Sequence, residues 1–255
     1  MGSVVVFRIP KSSNAAQTPR KYKEYRILPS ELPEAYVEEL RTRPMISPKS
    51  TLWVTTLDDT TTAVFDIYEA YLLEGIVSTV SQFAQRRHSS LGSMMGHTLG
   101  LSTEKHVLTP NQARDDYRNL LACYTLGVTL HDRRFQDAVA TKIICMLRMP
   151  GAHQSRSFVR ILTCDAVQAI IDKSGTASPI FLLMTSAYAR FASTHEIGTL
   201  VFSQYSADFK SQVVKELGIM RTIQHVDGVA AADFVVNDCK FHTHGFYEPC
   251  PLRKS

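Results

Sequence analysis

From residue 111 onward the apolar positions of the chain recur at helical spacing. Ala113, Tyr117, Leu120, Leu121 and Tyr124 form one stripe, and Phe135, Ala138, Val139, Ile143, Met146 and Leu147 form a second. Pro150-Gly151 then breaks the chain. Ala166, Val167, Ile170 and Ile171 predict a short helix. Ser178-Pro179 opens a denser one with Phe181, Leu182, Met184, Tyr188 and Phe191. Phe209, Val213 and Leu217 stand at i, i+4, i+8 in a last amphipathic helix. The pattern predicts about five helices joined by short connections, each burying one face.

The N-terminal third reads differently. Residues 1–22 hold few large apolar side chains after Phe7 and suggest a flexible leader. Tyr22 to Leu28 alternates loosely, as a short strand does. Ser30-Glu31-Leu32-Pro33 predicts a helix start, with Tyr36, Val37 and Leu40 on its apolar face and Pro44 as its stop. Thr51 to Thr55 is β-branched and aromatic, a second strand. Asp58-Asp59 supplies a turn. A helix over 62–74 places Phe65, Tyr68 and Leu72 on one face before Gly75 ends it. Residues 78–112 are rich in Ser and Gly with no sustained period, and predict an insertion or linker.

Composition narrows the class. The 255 residues are 44% hydrophobic and 20% charged, in the range of globular chains, with a net charge of +4 that is dispersed along the sequence. Neither a nucleic-acid partner nor a membrane partner is expected. The apolar runs Val4-Phe7 and Ile180-Met184 fall far short of the ~20 residues a spanning helix needs. Five cysteines at wide intervals do not read as a disulfide framework. Cys123, Cys145 and Cys164 read as small buried hydrophobes of a reducing compartment, so the expected location is cytoplasmic or nuclear.

No P-loop, dinucleotide, zincin, nucleophile-elbow or EF-hand pattern is present. His195-Glu196 begins a zincin-like string, but Thr199 stands where the second histidine would be. Asp115-Asp116 reads as favourable charge at a helix N-terminus. Arg86-Arg87-His88-Ser89 resembles a basophilic kinase site, which makes Ser89 a candidate phosphorylation position. The sharpest cluster is Cys239, His242, His244 and Cys250. Two thiols and two imidazoles within twelve residues form a ligand set that zinc accepts tetrahedrally.

Several segments together resemble a known family. Tyr25-Arg26-Ile27-Leu28-Pro29-Ser30-Glu31-Leu32 resembles the strand-to-helix step of BTB/POZ domains. Val64 to Ile76 resembles the helix that closes the core of that domain. Leu121 to Gly127, followed by Asp132 to Val139, is similar to the helix pair of divergent BTB-like proteins of filamentous fungi. Gly175 to Pro179 is similar to a helix start in those proteins, and Cys239, His242 and His244 to their tail. BTB domains begin with a hairpin. In this sequence the N-terminal strand reads as reduced.

The expected fold is α+β and predominantly helical: a small BTB/POZ-like sheet packed on helices, with a C-terminal helical extension. The expected division is a leader over 1–22, a BTB/POZ-like domain over 23–148 with the 78–112 insertion, and a helical region with tail over 149–255. The resemblance implies a non-catalytic protein–protein interaction module that self-associates or serves as a ubiquitin-ligase adaptor on a cullin-type scaffold, without a cofactor. It points to Phe65, Tyr68, Tyr71 and Leu72 as partner contacts. Two alternatives stand beside it. One is a zinc-stabilised regulator built on the C-terminal cluster. The other is an enzyme whose site brings Cys123 or Cys164 to a distant histidine.

Overall fold

The structure, a computed structural model, describes residues 4–11, 21–42, 52–82, 108–149, 152–227 and 238–243. Three strands form a mixed sheet in the order β2-β1-β3. β1 (Val4–Pro10) is central; β2 (Tyr22–Ile27) lies antiparallel to it and β3 (Leu52–Thr56) parallel. Residues 4–10 are therefore the middle of the sheet and not part of a flexible leader. Val5, Phe7 and Ile9 are fully buried and Val6 nearly so. An uninterrupted apolar run is what a strand covered on both faces and flanked on both edges carries.

α1 (Glu34–Thr42) connects β2 to β3 and buries Tyr36, Val37 and Leu40, as its spacing predicts. α2 (Thr62–Glu74) begins where the Thr61 hydroxyl accepts from the Val64 N–H at 3.3 Å. It ends at Gly75, whose φ of 69° is the left-handed conformation glycine adopts without a Cβ penalty. α3 (Pro110–Thr129) starts with a Thr109/Gln112 capping box and Pro110 in the first turn. Asp115 and Asp116 thus fall in the second turn of α3, not at its N-terminus. Asp115 pairs with Arg118 at 3.0 Å, while Asp116 is buried and accepts from the Ser81 N–H at 3.2 Å.

α4 (Arg133–Arg148) packs closely on α3. A Cβ at Gly127 would meet Gln136 Cγ at 2.9 Å, so glycine sets that approach. α5 (Ala152–Ile161) follows, a helix the periodicity did not predict, and it packs against α3, α4 and α7. α6 (Cys164–Ser174) and α7 (Pro179–Phe191) are capped by Thr163 and Ser178. α8 (Thr194–Thr199) is short. Glu196 closes its capping box on Ser193, which gives the zincin-like His195-Glu196 string a structural role. α9 (Ala207–Asp227) packs on α7, and a 3-10 turn over Asp238–Phe241 packs there too. The fold is α+β and mostly helical. One hydrophobic cluster runs from Val5 to Phe241, through the sheet, α1 to α7 and α9. The core is therefore not divided at residue 148.

Candidate functional site

Three segments meet around an open cleft of about 630 Å³. The first is the β3–α2 connection, where the Thr60 N–H donates to the Leu57 carbonyl at 3.2 Å and Asp58-Asp59 forms the expected turn. The second is one face of α3. Arg118, Leu121, Ala122, Thr125, Leu126 and Thr129 recur at i, i+3, i+4, i+7, i+8, i+11, which spans three turns and ~16 Å. The third is α6, with Ala166, Ala169, Ile170 and Lys173.

The floor is aliphatic: Leu121, Leu126, Ile161 and Ile170 are buried beneath it. Ala122 and Ala169 are exposed on the walls. Charge sits at the rim. Lys173 Nζ lies 3.9 Å from Asp59 Oδ2, but the Asp59 side chain is 91% exposed and such a pair contributes little. None of the described lining residues is Cys or His. Chemically the cleft suits an apolar segment with polar flanks.

The four expected partner contacts on α2 divide in two. Phe65 and Tyr68 are fully buried and offer no surface. The Phe65 ring lies 5.0 Å from Phe7 and 4.4 Å from Tyr25, centroid to centroid. The Tyr68 hydroxyl donates to Asp132 Oδ2 at 3.2 Å, and burial pushes the Tyr68 phenol well up. Tyr71 and Leu72 are half-buried. Tyr71 lies 4.9 Å from Phe135, and burial pushes its phenol up to about 12. Beyond them Leu73 is 77% exposed, a more available contact that the helical spacing had passed over.

Of the C-terminal cluster, only His242 is described as a side chain. It is buried, with Nε2 3.0 Å from Thr141 Oγ1. The Cys239 side chain, His244 and Cys250 lie outside the described residues, as does Ser89. Among the described residues no group of three or more His, Cys, Asp and Glu side chains could hold a metal ion. The cysteines are less uniform than expected: Cys123 is buried, Cys164 half-buried and Cys145 exposed. The Cys123 thiol faces the Val64 carbonyl at 3.7 Å, and burial pushes it well up.

No family model, curated protein or solved structure matches this chain. Among the described residues no helix is long and apolar enough to cross a membrane. The cleft itself escaped the sequence. Leu121, Leu126 and Ile170 stand in stripes that read as ordinary core. The available signal was the set of alanines at 122, 166 and 169, small residues on helix positions flanking those stripes.

Proposed function

We propose that the chain is a non-catalytic protein–protein interaction module of the BTB/POZ type, which acts by self-association or as an adaptor. What supports the reading is the order of elements: an N-terminal hairpin, α1, a third strand parallel to the first, α2 sealed over the sheet by Phe65 and Tyr68, then the α3–α4 pair. The hairpin restores the strand that the sequence pattern had read as reduced. Cys123, buried against the Val64 carbonyl with its thiol pushed well up, is a poor nucleophile.

The cleft and the exposed end of α2 are the contact surfaces of this reading. An apolar floor with polar flanks suits a partner's amphipathic segment. Cross-linking mass spectrometry of the full chain purified under mild conditions tests it. The expected result is a stoichiometric partner, either itself or another protein, whose cross-links fall on Lys173 and its surroundings. Arg substituted for Ala169 should fill the cleft and reduce that capture without changing the melting temperature. A chain that is monomeric and captures no stoichiometric protein overturns the reading.

A further inference from the structure

The two edges of the sheet are built differently. β2 carries Lys23, Glu24 and Arg26 among its six residues, with Glu24 paired to Arg8 at 3.0 Å and Lys23 to Asp66 at 2.6 Å. Charge on an edge strand is the usual guard against pairing with another strand. β3, the opposite edge, reads Leu52-Trp53-Val54-Thr55-Thr56 and has neither charge nor proline.

The direction of its free main-chain groups follows from the ladder. Arg8 is in register with Thr56, and the Leu57 N–H donates to the Arg8 carbonyl at 3.1 Å. Residues 53, 55 and 57 therefore turn their N–H and C=O groups toward β1. Those of Leu52, Val54 and Thr56 turn outward. Among the described residues no strand lies beyond β3.

The side chains of the same three residues share one face of the sheet. Val5, Phe7 and Ile9 belong to the core cluster and Trp53 packs against it, so Val4, Val6, Leu52 and Val54 stand on the opposite face. Leu52 is 40% exposed and Val54 half-buried. Val6 beside it is buried, so the apolar surface available along this uncharged edge of the described sheet is that of Leu52 and Val54.

We infer that the β3 edge pairs antiparallel with the β3 edge of a second copy of this chain, about a two-fold axis through Val54. This rests on the interaction-module reading and names its partner. In that register Val54 faces Val54 of the partner copy, and Leu52 faces Thr56. Each outward N–H and C=O then finds a mate, because the three outward residues are placed symmetrically about position 54. The two sheets join into one of six strands, and the half-buried Val54 side chains meet across the axis. No like charges meet at the seam. The same pairing at β2 would set its lysine, glutamate and arginine against a second set, with Lys23 and Glu24 already engaged in ion pairs.

Position 54 gives a test specific to this register. Val54→Lys and Val54→Glu each place like charges directly across the axis, whereas a mixture of the two places opposite charges there. Val54→Pro removes an N–H that faces away from β1, so the β1–β3 ladder keeps its bonds. Full-length chains are compared by analytical ultracentrifugation up to about 100 µM, with circular dichroism and melting temperature as checks on folding. The expected result is a wild-type dimer at twice 28.6 kDa. Each charged variant alone and the proline variant should be folded monomers, and the equimolar Lys/Glu mixture should recover the dimer.

A wild-type monomer overturns the inference, and so does a dimer that survives all three substitutions. In the second case self-association, and with it the interaction-module reading, stands on another surface. If a variant loses its folded signal, the Lys/Glu mixture still decides. Failure of two folded charged variants to associate with each other overturns the two-fold register.

Discussion

Two aromatic clusters hold the molecule together, and they do so over different distances in the chain. The first joins Phe7, Tyr25, Tyr36, Phe65, Tyr68, Tyr71 and Phe135, with neighbouring ring centroids 4.4 to 6.0 Å apart. It draws on the sheet, α1, α2 and α4. The second joins Phe181, Tyr188, Tyr205 and Phe209 at 4.8 to 6.3 Å, all within the C-terminal helices and the connection that leads into α9. The first cluster closes long loops; the second closes short ones. α2 and α1 cover the sheet, and α2 in turn rests on α4, since Phe135 is the ring against which Tyr68 and Tyr71 pack. Long-range contacts of this kind form only after the loop entropy has been overcome, so the sheet half should be the later and more cooperative part of the fold.

The comparison breaks most visibly at the two central phenylalanines. Phe65→Ala leaves a cavity among three elements and should cost about 3–5 kcal/mol. Because α2 and both β1 and β2 lose the ring, the loss should read as a drop in the single unfolding transition by chemical denaturation. Phe209→Ala removes a ring of the same size and should cost a similar ~3–5 kcal/mol at that site. Its effect should stay local: hydrogen exchange should speed up in α7 and α9 while the amides of β1 keep their protection. Equal loss of protection in β1 for Phe209→Ala would show that the two clusters are one cooperative unit.

A smaller effect is expected at the polar centre of the first cluster. Tyr68→Phe keeps the ring packing but removes the donor to Asp132, leaving a buried carboxylate short of one partner. The cost should be roughly 1–3 kcal/mol. Asp132 retains the Phe135 N–H at 2.9 Å, so α4 should keep its cap. A melting temperature equal to that of the wild type would mean that the hydroxyl contributes nothing.

The smallest effect concerns Asp116, which anchors residues 79–82 to α3. Burial raises its carboxyl above the ordinary aspartate range, against hydrogen bonds from Thr79 and Ser81 that lower it. A raised folded-state value favours the protonated form in the folded chain. Its stabilising contribution is fully present below the unfolded aspartate value and is lost as pH rises through the folded one. Asp116→Asn removes that dependence and keeps the acceptor oxygen. The stability of the variant relative to wild type should therefore rise from about pH 4 toward pH 7. Urea midpoints measured across that range check it, and parallel profiles would show that Asp116 does not titrate there.

Much of the helical half was readable because its signals are local. Ser178-Pro179 opens α7 as its chemistry predicts, and the stripes of α3, α4 and α7 are largely buried as their spacing requires, although α3 begins at Pro110, inside the stretch expected to be an insertion. α5 leaves no clear helical period because Gln154, Ser155 and Ser157 lie on a buried face, where polar side chains blur it. The central strand is hidden from the pattern for a related reason. Val4-Val5-Val6-Phe7 has no alternation, and a strand buried on both faces has none to show.

The sequence by itself determined where most helices start and stop and which of their faces turn inward, since capping and amphipathic spacing act within one or two turns. Tertiary structure alone decided that β1 is the middle strand and that Phe135 covers Tyr68. It alone placed the uncharged β3 strand at an edge of the described sheet and parted α3 from α6 around the cleft. These features depend on pairing between residues far apart in the chain, where the physics of burial and main-chain hydrogen bonding selects partners that no local pattern names.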